Sequence, residues 1–196
     1  MDKRRFLAAA AVGAAGAAGP TAVGAVIGSR AGPGLLTVAG AVAHPNRGPL
    51  DAVRDQLMVK HGARFDRAWV ADAALLARLA PVFITPTLEY DAKPHRLGGP
   101  RLVSVLRHAG VDTDADARLL LRGIDGYTAT TSLADARARN LVVATALDGA
   151  PMALGGLGPL WAVHDADRLP GLKDKPLGER FAGCPWGLYY IEVQPA

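Results

Sequence analysis

The sequence has a single cysteine, Cys184, so no intrachain disulfide can close, and without a CxxC or Cys/His cluster there is nothing to hold a structural zinc. Any metal has to arrive on a cofactor of its own. Aromatic residues are scarce at 6%, yet hydrophobic side chains reach 50% and charged ones only 20% of 196 residues. That composition excludes a disordered chain and fits one globular domain. Hydrolase signatures are missing: there is no GxSxG elbow, Ser104 falls mid-helix by pattern, and the five histidines show neither HxxxH nor HExxH spacing. Most of the chain also lacks an excess of one charge. The total is +4 with a pI near 9.5. Lys3, Arg4, Arg5 and Arg30 against Asp2 place +3 of it in residues 1–30, leaving +1 for residues 31–196. This balance removes the main argument for a nucleic-acid partner.

What is present begins with an export layout. A basic start, Lys3-Arg4-Arg5-Phe6-Leu7, precedes an uncharged Ala/Gly-rich run from Phe6 to Gly28. It resembles the twin-arginine signal, whose weakly apolar core it shares. Residues 1–30 are therefore read as a twin-arginine-like export signal or an uncleaved N-terminal membrane anchor, although Gly13, Gly16, Gly19, Pro20 and Gly24 weaken a spanning helix. The expected location is periplasmic or exported. The twin-arginine route carries folded proteins, often with a prosthetic group already inserted.

Residues 31–196 leave about 165 residues, enough for a core that buries about 70% of the unfolded surface. Strands are expected over residues 35–42, a buried one over 82–85, then 118–122, 127–131, 141–147, 159–164 and 186–193. Turns are expected at Asp125-Gly126 and Asp148-Gly149. Helices are predicted at 71–79, after Gly99-Pro100 with Gly110 as the C-terminal stop, and from the capping-box pattern Ser132-Leu133-Ala134-Asp135. Strands outnumber helices and tight turns join several of them. The fold class expected is α+β, a single domain with mixed sheets.

Few segments carry obvious chemistry. The loop Gly155-Gly156-Leu157-Gly158 offers backbone N–H groups for an anion, or is simply a turn that needs glycine. It is neither a dinucleotide fingerprint nor a Walker loop. Asp112, Asp114 and Asp116 copy the first half of a calcium loop, but Ala117 and Gly123 stand where its glycine and glutamate belong, so a solvated loop accounts for them. His164 beside Asp165 and Asp167 is either a weak metal set or a surface strand end. Cys184 is either a small buried packer or a soft metal ligand.

Five stretches in order carry a family resemblance: Gly98-Gly99-Pro100-Arg101 through Gly110-Val111, Gly123-Ile124-Asp125-Gly126-Tyr127, Ser132-Leu133-Ala134-Asp135-Ala136, Leu141 through Met152, and Gly158-Pro159-Leu160-Trp161-Ala162-Val163. They resemble the molybdopterin-binding domain of the sulfite oxidase family across about residues 80–193. The resemblance implies the sulfite-oxidase-like fold, a molybdopterin cofactor carrying molybdenum, and two-electron redox chemistry on a small-molecule substrate. No haem or iron–sulfur motif is present, so a separate electron-transfer partner is implied.

The departures from that family are specific. Its metal-ligating cysteine falls at Tyr90, its arginine at Trp161, and Leu188-Tyr189-Tyr190 replaces a lysine-containing segment. Three readings follow: Cys184 supplies the thiolate from elsewhere, Tyr90 ligates directly, or the domain binds pterin or another ligand without redox chemistry. The residues implied are Tyr90 and Cys184 as catalytic positions with Cys184 as metal ligand, and His95, Arg101, Gly156, Gly158 and Trp161 around the cofactor. Lys93 and Arg96 join Arg101 as replacement cations. The alternative is a non-catalytic periplasmic binding or assembly module on the same scaffold.

Overall fold

The apolar run at 35–42 becomes β1, Leu36–Gly40, with its first four residues buried. A computed structural model describes residues 31–196, and the export signal or anchor expected over residues 1–30 lies outside the described residues. Helix α1, Gln56–Lys60, and strand β2, Ala68–Ala71, were not legible in the pattern. The helix buries no residue, and β2 carries two alanines where strands favour branched or aromatic side chains. Helix α2, Ala73–Arg78, answers the prediction over 71–79. Asp72 caps it by accepting the Leu75 N–H at 2.8 Å, and Leu76 turns into the core.

Strand β3, Pro81–Ile84, pairs antiparallel with β4, Leu97–Pro100. The expectation of a buried strand at 82–85 is corrected here: β3 is an edge strand, alternately exposed and half-buried. The Leu97-Gly98-Gly99-Pro100 strand reads as loop by composition, yet all four residues are buried. Its glycines are required by close approach, because a Cβ on Gly98 would enter the Phe83 ring and one on Gly99 would enter the Val143 carbonyl. Pro100 thus ends a strand instead of opening a helix, and α3, Leu102–His108, begins after Arg101 and stops before Gly110, whose φ is +80°.

Strands β5, Ala117–Gly123, and β6, Thr128–Ser132, form the expected hairpin. Helix α4, Leu133–Ala138, starts at the capping box: Ser132 Oγ accepts the Asp135 N–H at 2.9 Å and donates to its carboxylate at 2.8 Å. The stretch expected as one strand at 141–147 divides at Thr145 into β7, Val142–Ala144, and β8, Ala146–Leu147, which join different sheets. Asp148 and Gly149, at φ +49° and +85°, turn β8 into β9, Ala150–Pro151. Strand β10, Trp161–Val163, a 3-10 turn at Ala166–Arg168, helix α5, Leu177–Arg180, and strand β11, Leu188–Pro195, complete the chain.

The result is one domain of mixed α/β structure with several sheets and, among the described residues, five α-helices. The largest sheet runs β2-β1-β11-β5-β6, with β1 and β11 parallel and the other pairs antiparallel. A second sheet runs β3-β4-β8-β9, and β10 pairs antiparallel with β7. That two-stranded ladder separates two cores. Following the alternation of strand side chains, Val143 and Ala162 face the main core of Leu36, Leu102, Leu119 and Ile191. Val142, Ala144, Trp161 and Val163 face a smaller core with Leu88, Phe181 and Cys184. Among the described residues no helix is long and apolar enough to cross a membrane.

Candidate functional site

The smaller core opens to solvent through a cavity of about 250 Å³ walled by Glu89, Tyr90, Asp125, Tyr127, Trp161 and Trp186, with Phe181 and Cys184 at its floor. Four separate segments build it. Trp161 opens β10, and the segment leading into β11 is stitched along it: the Ala162 N–H donates to Pro185 O at 3.2 Å and the Leu188 N–H to Leu160 O at 2.8 Å. The Trp161 indole Nε1–H donates to Cys184 O at 2.8 Å, and the Phe181 ring tilts against it at 5.7 Å between centroids. Trp161 is therefore fixed in place.

Tyr90 rides on a tight loop anchored by buried Leu88, where the Leu88 N–H donates to Lys93 O at 2.9 Å. Asp167 ties that loop down, accepting from the Thr87 N–H at 2.7 Å and its hydroxyl at 2.8 Å while pairing with Arg180 at 2.8 Å. Asp125 and Tyr127 come from the turn between β5 and β6, where Asp125 Oδ1 accepts the Tyr127 N–H at 3.0 Å. The Tyr127 hydroxyl donates to Ala182 O across the mouth. Burial, followed by the charge and hydrogen bond of Glu89, pushes the Tyr90 phenol above its ordinary pKa. Tyr90 stays a protonated phenol at neutral pH.

Behind the cavity, Cys184 Sγ lies 3.4 Å from His164 Nδ1. His164 Nε2 sits 3.0 Å from Arg180 O, which can only accept, so the ring proton belongs on Nε2 and Nδ1 is left to accept from the thiol. Burial dominates both groups: it pushes the Cys184 thiol up to about 12 and holds His164 below its ordinary value. The pair is a neutral thiol on a neutral imidazole. The surface strand end considered for His164 is corrected by its burial, and Asp165 and Asp167 turn away to Arg168 and Arg180.

Of the residues expected from the sequence, Tyr90, Trp161 and Cys184 meet in this cavity. The others do not line it. His95 lies between Asp148, 2.7 Å from Nδ1, and Asp91, 3.1 Å from Nε2. Hydrogen bonds to Asp148 and then Asp91 raise its pKa. Arg101 holds Asn140 in a separate cavity of about 430 Å³ that it shares with Arg139 and Arg168. The Gly156 N–H is used on Ala153 O at 3.2 Å, and Gly158 packs on the Met152 backbone. Sequence reasoning missed Glu89, Asp125, Tyr127, Phe181 and Trp186. The signals near them were the Asp125-Gly126-Tyr127 stretch, the position of Glu89 next to Tyr90, and that of Trp186 two residues after Cys184. Among the described residues no three His, Cys, Asp or Glu side chains gather in a way that would hold a metal.

A search against protein-family models finds no match, and none of the curated proteins matches the chain.

Proposed function

We propose that residues 31–196 form an exported ligand-binding module on a sulfite-oxidase-like scaffold, working in the periplasm without molybdenum chemistry. The scaffold is supported by convergence: Tyr90 and Trp161, the positions that the family resemblance sets at its metal-ligating cysteine and its arginine, wall one cavity together with Cys184, the chain's single thiol. The export signature in residues 1–30 supports the location.

The cavity's charge carries the binding-module reading. Molybdopterin is an anionic phosphate ester and asks for cationic partners, whereas the charged walls here are the carboxylates of Glu89 and Asp125. Either candidate ligand has to lose its proton to bind molybdenum, and here Cys184 is a buried thiol with its pKa pushed up to about 12 while the Tyr90 phenol also lies above its ordinary value. The residues present do not fit the cofactor in this cavity. What they can do is enclose a small molecule between aromatic faces.

A second reading, a molybdopterin-dependent oxidoreductase served by a separate electron carrier, draws on one observation. The Arg101, Arg139 and Arg168 cavity is cationic, and Arg139 lies close enough to oppose the upward shift of the Cys184 pKa. Metal analysis and pterin fluorescence on protein co-produced with the cofactor machinery decide between the two. The binding-module reading expects neither group in stoichiometric amount; stoichiometric molybdenum that disappears in Cys184→Ser overturns it.

A further inference from the structure

We propose that the cavity beside Trp161 binds a small organic cation of the quaternary ammonium type, held between aromatic faces and the carboxylates of Glu89 and Asp125. This rests on the binding-module reading and gives that module its ligand class.

The wall chemistry selects for positive charge. The face of an aromatic ring is the negative end of its quadrupole and attracts cations, tryptophan most strongly. Tyr90, Tyr127 and Trp186 leave 58%, 49% and 38% of their surface open to solvent, and all three border this one cavity instead of scattering over the molecule. Glu89 and Asp125 add two negative charges, and among the described residues neither takes part in an ion pair. Among the described residues no lysine, arginine or histidine lines the cavity to neutralise them. A cavity that gathers three arginines, Arg101, Arg139 and Arg168, lies elsewhere, so an anion has a better place to go.

The wall is also held in shape before any ligand arrives. Trp161 is fixed by its bond to Cys184 O, Tyr127 by its bond to Ala182 O, and Asp125 by the turn bond to the Tyr127 N–H. Preorganised rings bind without paying the ordering entropy of loose side chains. A hard metal ion is served poorly, since calcium takes six to eight oxygens and only two carboxylates are at hand. An alkylated ammonium, large, weakly hydrated and apolar at its rim, suits a cavity of about 250 Å³ better.

Calorimetric titration of the full chain with choline, with its uncharged isostere in which carbon replaces nitrogen, and with calcium tests this. Choline is expected to bind saturably and the isostere at least about tenfold more weakly, because shape is shared and charge is not. A Glu89→Gln, Asp125→Asn double variant is expected to lose about tenfold for choline and nothing for the isostere. Equal binding of the two isosteres, no binding of choline at millimolar concentration, or calcium binding that excludes choline each overturns the proposal. The isostere comparison needs only the unmodified protein, so a variant that fails to fold leaves the test intact. Molybdenum in the purified protein brings down the module reading, whereas a molybdenum-free protein that ignores choline brings down the cation alone.

Discussion

Cys184 is 4% exposed and hydrogen-bonded through sulfur to a neutral His164, and nothing beside it favours a thiolate strongly enough to offset burial. Native protein at neutral pH is therefore expected to react with iodoacetamide at least about 100-fold more slowly than protein unfolded in urea. Native reactivity equal to that of the unfolded chain contradicts the buried-thiol assignment. His95 behaves oppositely, because its partners favour the charged ring. Its folded pKa lies above the ordinary value of about 6.5, so its contribution is fully present below that value and is lost as pH rises through the folded pKa. The unfolding midpoint of the wild type is expected to fall over that window relative to His95→Gln, while NMR titration of the ring gives the raised pKa directly. Asp91 and Asp148, with depressed pKa values, lose their share instead as pH falls through theirs. At this scale the sequence marked Tyr90, Trp161 and Cys184. It could not reveal Glu89 and Asp125, because one acidic residue in a turn reads like any other until the fold brings two to the same cavity.

Among the elements, those with strong local chemistry were the legible ones. The Ser132 cap and the Asp148-Gly149 turn are written in a few adjacent residues. Ser132→Ala is expected to cost about 1 kcal/mol by chemical denaturation, since it leaves the Asp135 N–H without its acceptor. Elements defined by their neighbours stayed hidden. Strand β4 looks like loop because Gly98 and Gly99 belong to a tight crossing over β3 and β7, a relation that no short window contains. Gly99→Ala is expected to destabilise by about 1–3 kcal/mol, as the new methyl forces β4 away from the Val143 carbonyl. An unchanged denaturation midpoint would contradict that crossing. The break at Thr145 has the same origin: a strand-like run from 141 to 147 with one threonine inside it says nothing about a chain that changes sheets midway.

At the level of the molecule, β11 lies at the centre of the five-stranded sheet, between β1 and β5. Its inward residues Leu188, Ile191 and Val193 belong to the main core, and the segment just before it forms one side of the cavity. Fold and site thus depend on the same late segment. Deleting residues 187–196 is expected to abolish cooperative unfolding altogether, which circular dichroism during heating would register, because the sheet loses its middle. The mixed α/β class was legible from the count and spacing of strands. The order of the strands was not, since the parallel pairing of β1 with β11 joins segments about 150 residues apart in sequence.

The most direct measurement is the indole N–H region of the NMR spectrum during addition of choline. Three tryptophans report: Trp161 and Trp186 wall the cavity, while Trp69 lies elsewhere and serves as the internal control. A cation-binding module predicts that the Trp161 and Trp186 signals move together and saturate while Trp69 stays in place. Cavity signals that do not move, or three signals that drift alike, would contradict it.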